Sequence, residues 1–199
     1  MTQLIAHRIN TAEQLRQTPQ KFGVEVDIRS SGQKLIVHHD PFVTGELFDD
    51  WLSHFNHRTL ILNVKEEGLE PGLIERMAAI GFEDYFFLDQ SFPFLVRYAE
   101  AAAGRAAVRF SEYESIETVL NLAGKVDWVW VDCFTHLPLS KREYTQFKES
   151  GFKLCLVSPE LQQRPAEVGI AEMRATLVER DIHVDAVCTK RPDLWEDSL

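Results

Sequence analysis

The chain of 199 residues is 45 % hydrophobic and 26 % charged, with 13 Phe spread along it, so it can bury one sizeable core and is neither a disordered tail nor a small stapled scaffold. Its 31 acidic residues outnumber 21 basic ones, and the resulting formal charge of -10 opposes binding to a nucleic-acid backbone. Apolar runs such as Leu60-Ile61-Leu62 and Val129-Trp130-Val131 are strand-sized and far short of the roughly 20 residues that cross a bilayer, so no membrane span is expected.

In chain order, β-branched and aromatic runs predict strands over 4–6, 24–28 with a continuation at 35–37, 60–64, 85–88, 106–110, 128–131, 153–157 and 186–189. Helical spacing is found over 11–17, 70–80, 94–103, 115–122, 140–150 and 165–180, and Gly81, Gly104, Gly124 and Gly151 read as helix stops. Strands alternating with helices indicate an α/β chain with a parallel sheet. Eight strand signals without a linker point to one domain over 1–199, a small (β/α)8 TIM barrel near the lower length limit of that fold. An open doubly wound sheet is the alternative, because periodicity does not report closure.

The first residues enter a strand at once, with no basic stretch leading into an apolar one, so the chain is expected in the cytoplasm. Cys133, Cys155 and Cys188 lie in apolar runs and are odd in number, which fits reduced, buried thiols. Trp51, Phe55, Phe92, Phe94 and Trp195 read as packing beneath loops, with a lipid-facing rim or a dimer contact as other fates.

Polar residues cluster at or just past the predicted strand ends: His7, Glu25, Asp27, His39, Asp40, Asn63, Lys65, Asp89, Arg109, Glu112, Asp132, Glu160 and Lys190. A barrel gathers such ends into one mouth, where its catalytic groups arise. Glu25-Val26-Asp27 projects two carboxylates from one strand face, which suits a hard divalent cation such as Mg²⁺ or Ca²⁺; solvated carboxylates, or salt bridges to Arg29 and Lys65, remain open. His7 and His38-His39 leave two apolar runs, so two imidazoles can divide acid and base work, unless His7 is a core histidine and His38-His39 an exposed turn. Lys65 and Arg109 supply positive charge for a phosphoryl or carboxylate group, or else neutralise Asp27, Asp89 or Asp132. No Gly-x-Ser-x-Gly elbow or P-loop is present.

The run Ile5-Ala6-His7-Arg8, Asn10-Thr11, Glu25-Val26-Asp27, His39-Asp40-Pro41 and Asn63-Val64-Lys65 resembles the motifs of glycerophosphodiester phosphodiesterases, in the PLC-like phosphodiesterase superfamily. Later segments, among them Phe87-Leu88-Asp89-Gln90, Arg109-Phe110-Ser111-Glu112, Trp130-Val131-Asp132, Ser158-Pro159-Glu160 and Cys188-Thr189-Lys190, look like a small bacterial branch of it, whose members tend to be encoded near surface-polysaccharide genes. The resemblance implies a TIM-barrel hydrolase of a small phosphodiester. His7 and His39 become its acid and base, Glu25 and Asp27 ligands of Mg²⁺ or Ca²⁺, and Lys65 a phosphate contact; Asn63 is added as a candidate third ligand, and Arg8 and Arg109 as candidate phosphate contacts. Asp89, Asp132, Glu160 and Lys190 are candidates for a further rim.

Two positions depart from the family pattern. Ile9 and Asn63 stand where that family carries glutamates, so negative charge is lost from the implied metal shell, although Asn63 can still offer a carbonyl oxygen. The loop between His7 and Asn10 is also too short for the usual Gly-rich segment. One competing reading is a non-catalytic barrel that binds a sugar phosphate or phosphodiester with a degenerate metal site. Another is a lyase or aldolase using Lys65 or Lys190 as a Schiff-base amine.

Overall fold

The computed structural model describes residues 2–196. Its internal contacts divide the chain into two compact units, one of Ala6–Ala106 and one of Met1–Ile5 with Ala107–Leu199. The α/β class expected from the alternation is what the chain adopts. Among the described residues, no helix is long and apolar enough to cross a membrane.

The first strand, β1 (Gln3–Ala6), leads into helix α1 (Ala12–Gln17), whose Thr11 cap accepts the Gln14 amide. Next come β2 (Gly23–Ser31), β3 (Lys34–Val37), β4 (Glu46–Leu47), α2 (Phe48–Leu52), β5 (Leu60–Val64), α3 (Glu70–Ile80), β6 (Tyr85–Leu88) and α4 (Phe92–Tyr98). In the Ala6–Ala106 unit, β2 pairs in parallel with β5, and β5 with β6, in the registers Val24↔Leu60 and Leu60↔Tyr85. These strands are buried on both faces, as parallel strands covered by helices must be. Gly81, at φ 65°, ends α3 in the left-handed conformation that a side chain disfavours.

Residues 24–28 and 35–37 do not make one continued strand. A turn at Gly32 folds β3 back antiparallel on β2, with Ile28 opposite Val37. Because β2 runs on to Ser31, Glu25 and Asp27 lie inside the strand and not at its end. The short β4 and α2, absent from the sequence reading, follow this hairpin, and α2 buries Phe48 and Trp51 completely. The helix expected over 94–103 begins earlier, at Phe92, and stops at Tyr98.

In the other unit, β7 (Ala107–Phe110), α5 (Ile116–Leu120), β8 (Trp128–Val131), α6 (Lys141–Glu149), β9 (Lys153–Val157), α7 (Ala166–Glu179), β10 (Ala186–Thr189) and α8 (Asp193–Glu196) follow in order. Strands β7, β8, β9 and β10 form a parallel run in sequence order. Helix α6 starts with a capping box between Ser140 and Glu143, a device that contributes about 1 kcal/mol. All three cysteines are free and buried, and burial holds the Cys133 thiol well above its usual range. Trp51 and Trp195 are packed in the interior, whereas Phe92 is half exposed.

Candidate active site

Along β2, Val24, Val26 and Ile28 alternate with Glu25 and Asp27, so the carboxylates share one face and the apolar residues the other. The β2–β5 register sets Asn63 opposite Asp27 on that same face. Glu25 and Asp27 are fully buried, and Asn63 almost so. A carboxylate taken out of water costs several kcal/mol unless it is paired and hydrogen-bonded, so the surroundings of this pair decide whether the fold tolerates it.

Those surroundings come largely from the segment leaving β1. Arg8 adopts a left-handed φ of 56°, its amide donates to Glu25 Oε2 at 2.7 Å, and its guanidinium Nε lies 3.8 Å from Asp27 Oδ2. Asn10 embraces Asp27 twice, donating Nδ2 to Oδ2 at 2.7 Å and accepting the Asp27 amide on Oδ1 at 3.0 Å. His7 brings Nε2 to 3.8 Å from Glu25 Oε2 and remains 14 % exposed. From β5, Asn63 Nδ2 donates to Glu25 Oε1 at 2.7 Å. Burial, followed by the Asp27 charge, raises the Glu25 carboxyl to a pKa of about 7, against the Asn63, Arg8 and Lys65 contacts that lower it.

Lys65, just past β5, holds its ammonium 3.3 Å from Asp27 Oδ1 and 3.1 Å from Asp89 Oδ2. Of the ion pairs considered from sequence, the one between Lys65 and Asp27 therefore exists, while Arg29 pairs with Glu66 at 3.4 Å instead. A cavity of about 220 Å³ opens beside Lys65, lined also by Glu66, Glu70, Asp89 and Gln90. Asp89 enters it from a left-handed residue at φ 59°.

The two histidines after β3 have different tasks. His38 Nδ1 accepts the Asp40 amide at 2.9 Å and so shapes the turn, whereas His39 Nδ1 faces the Asp40 carboxylate at 2.8 Å. His39 is 38 % exposed, and an imidazole oriented by a carboxylate is equipped for proton transfer. Its hydrogen bond holds the Asp40 carboxyl below the usual range. Arg29 ties this turn to the Lys65 segment, donating Nε to the His39 carbonyl at 2.9 Å and Nη1 to the Lys65 carbonyl at 3.4 Å. Glu66 steadies the arrangement by also accepting the Ser30 amide at 3.2 Å and its hydroxyl at 2.5 Å. Asn10 and Asp40 stand within the quoted motifs without a role of their own there, Glu66 is signalled only by following Lys65, and Arg29 is considered only for a salt bridge to the Glu25-Asp27 pair that it does not make.

Arg109, Asp132, Glu160 and Lys190 belong to the other unit. Arg109 Nη1 meets Asp132 Oδ2 at 2.8 Å, and Gln162 donates to Asp132 Oδ1 at 2.6 Å. Glu160 Oε1 accepts the Thr189 hydroxyl at 2.6 Å and the Lys190 amide at 2.9 Å, while its other oxygen accepts from Ser158. Glu112 gathers the Thr135 and His136 amides at 2.8 and 3.0 Å; although burial opposes it, these bonds hold its pKa at about 2.

The donor set does not fit a resident divalent cation. A hard cation asks for several oxygens converging on one point, and here both oxygens of Glu25 and Oδ2 of Asp27 accept hydrogen bonds from nitrogen donors at 2.7 Å, while Asp27 Oδ1, without a hydrogen-bond partner, lies 3.3 Å from the Lys65 ammonium. Asn63 turns its amino group to Glu25, and its buried carbonyl oxygen has no hydrogen-bond partner. Among the described residues, no three His, Cys, Asp or Glu side chains group as metal ligands.

No family model matches the chain, and neither does any curated protein. Solved structures do. One is an Agrobacterium tumefaciens protein provisionally assigned as a glycerophosphoryl diester phosphodiesterase, with a TM-score of 0.69 and 16 % identity over 99 % of this chain and 96 % of that one. A glycerophosphodiester phosphodiesterase from the same organism gives 0.62 and 15 %, over 100 % of this chain and 99 % of that one. A glycerophosphoryl diester phosphodiesterase from Parabacteroides distasonis gives 0.68 and 12 %, over 100 % and 86 %. The chain thus has the fold of the glycerophosphodiester phosphodiesterases, as the motif resemblance implied.

Proposed function

We infer that the chain is a phosphoric diester hydrolase acting on a small phosphodiester of the glycerophosphodiester type, with His7 and His39 as its acid and base. The observation that carries this reading is the placing of His7 on Glu25 at 3.8 Å within the same buried network that holds the Lys65 ammonium on Asp27 at 3.3 Å. An imidazole backed by a carboxylate beside an accessible cation is the equipment for moving protons around an anionic phosphoryl group. The likeness to phosphodiesterase structures supports the same class, and a single-domain (β/α)8 barrel is the frame proposed for it.

In this mechanism one imidazole removes the proton from a substrate hydroxyl next to the phosphodiester. The hydroxyl oxygen bonds to phosphorus, the bond to the departing alkoxide breaks, and the second imidazole protonates that alkoxide. Water, activated by the reversed pair, then opens the cyclic phosphate to a monoester. Lys65 and Arg8 stabilise the charge gathering on the phosphoryl oxygens. Asp40 orients His39 through the 2.8 Å contact to its Nδ1, and Glu25 lies 3.8 Å from His7 as the carboxyl nearest to an imidazolium formed there.

The test is hydrolysis of glycerophosphodiesters, lysophospholipids and bis(p-nitrophenyl) phosphate by wild type, His7→Ala and His39→Ala. Turnover of one substrate that falls about 100-fold or more in each variant bears the reading out. A fully active variant removes that histidine, and silence of folded wild type across the panel favours a non-catalytic phosphate-binding barrel.

A further inference from the structure

The geometry points to a centre that operates without a bound divalent cation, in which Lys65 is the built-in positive charge. Where it concerns turnover, this rests on the phosphodiesterase reading; where it concerns metal binding, it stands alone.

Three of the four carboxylate oxygens of the pair accept hydrogen bonds from nitrogen donors. Glu25 Oε1 and Oε2 receive Asn63 Nδ2 and the Arg8 amide, both at 2.7 Å, and Asp27 Oδ2 receives Asn10 Nδ2 at 2.7 Å. The fourth, Asp27 Oδ1, accepts no hydrogen bond and lies 3.3 Å from the Lys65 ammonium as an ion pair. A cation inserted among them has to displace these donors. Lys65 and Arg8 both lie within 3.8 Å of Asp27, and Lys65 is shared with Asp89 at 3.1 Å, so Asp27 has cationic partners before any metal is added.

Two neighbouring residues bring no further carboxylate. Ile9 offers no side-chain oxygen, and its carbonyl is taken by Trp51 Nε1 at 3.0 Å. Asn63 brings no charge and presents its amino group to Glu25, so joint coordination by the two requires the amide to turn over and give up that bond. Asp89, just past β6, is drawn to Lys65 at 3.1 Å.

Lys65 is suited to act in a cation's place. It is 15 % exposed, borders the cavity and is shared between buried Asp27 and the more accessible Asp89. An incoming phosphodiester monoanion can take over the Asp89 side of the ammonium while Asp27 keeps it anchored. The ligand class is accordingly a singly charged phosphodiester, bound through one ammonium and not through a metal bridge.

Calorimetric titration of EDTA-treated protein with Mg²⁺, Ca²⁺ and Mn²⁺ tests this, using wild type, Asp27→Asn, Asn63→Asp and Lys65→Met. Wild type is expected to show no saturable binding, or only binding that Asp27→Asn leaves unchanged and that therefore lies elsewhere. Asn63→Asp, which restores a carboxylate, is expected to bind at least about tenfold more tightly than wild type. Should it fail to fold, Lys65→Met, which vacates the ammonium position, is expected to gain affinity instead. Saturable wild-type binding abolished by Asp27→Asn overturns the proposal. So does diester turnover that EDTA removes and Mg²⁺ restores. Absence of any turnover sinks the phosphodiesterase reading, while the calorimetric titration still decides whether the centre takes a metal.

Discussion

Asn63 donates its side-chain amide to Glu25 Oε1 at 2.7 Å across the β2–β5 pair, so the neighbour of the buried carboxylates gives them a hydrogen bond and no negative charge. Replacing it with Leu leaves Glu25 buried without that donor, a loss of about 2 kcal/mol. Thermal denaturation of Asn63→Leu is expected to show a melting temperature lower by about 4–8 °C. An unchanged value means the bond contributes nothing to the fold.

Glu25 also makes stability depend on pH. Its folded pKa of about 7 lies above the ordinary 4.5, so the folded chain holds a proton there that the unfolded chain releases. The stabilising contribution is complete below about pH 4.5 and is lost as pH rises through about 7. Glu25→Gln carries no titrating proton at this position. The melting-temperature advantage of wild type over this variant should therefore shrink steadily between about pH 5 and pH 8. A growing advantage over that range contradicts the assignment.

Much of the fold is legible because apolar patterning is a local property. Strands 85–88, 128–131, 153–157 and 186–189 carry in sequence the bounds the structure gives, since each is an apolar run with punctuation on both sides. Helix 70–80 is equally clear from Gly81. The hairpin escapes a local reading because the Gly32 turn separates two apolar runs that look alike, and direction leaves no mark in composition. In the site, residue types are legible but their pairings are not. Whether Asn63 turns its oxygen or its nitrogen to Glu25, or whether Arg29 reaches Asp27 or the His39 carbonyl, depends on register and rotamer.

Arg29 links the turn carrying His39 to the Lys65 segment through two carbonyls, so it is a positioning residue for both. Arg29→Gln keeps a donor but shortens the reach. Amide hydrogen exchange is expected to accelerate around residues 38–40 and at residues 65–66 while core strands stay protected, and diester turnover is expected to fall about tenfold, chiefly in kcat. Equal loosening of the whole chain instead assigns Arg29 a general structural role.

The proposed transfer of protons by His7 and His39 during phosphodiester cleavage is tested most directly by phosphorus NMR of a glycerophosphodiester incubated, in buffer containing Mg²⁺ and Ca²⁺, with wild type, His7→Ala or His39→Ala. Conversion to monoester is expected with wild type, cyclic phosphate appearing on the way, and no detectable conversion with either variant over the same time. An unchanged wild-type spectrum, or equal conversion by a histidine variant, contradicts it.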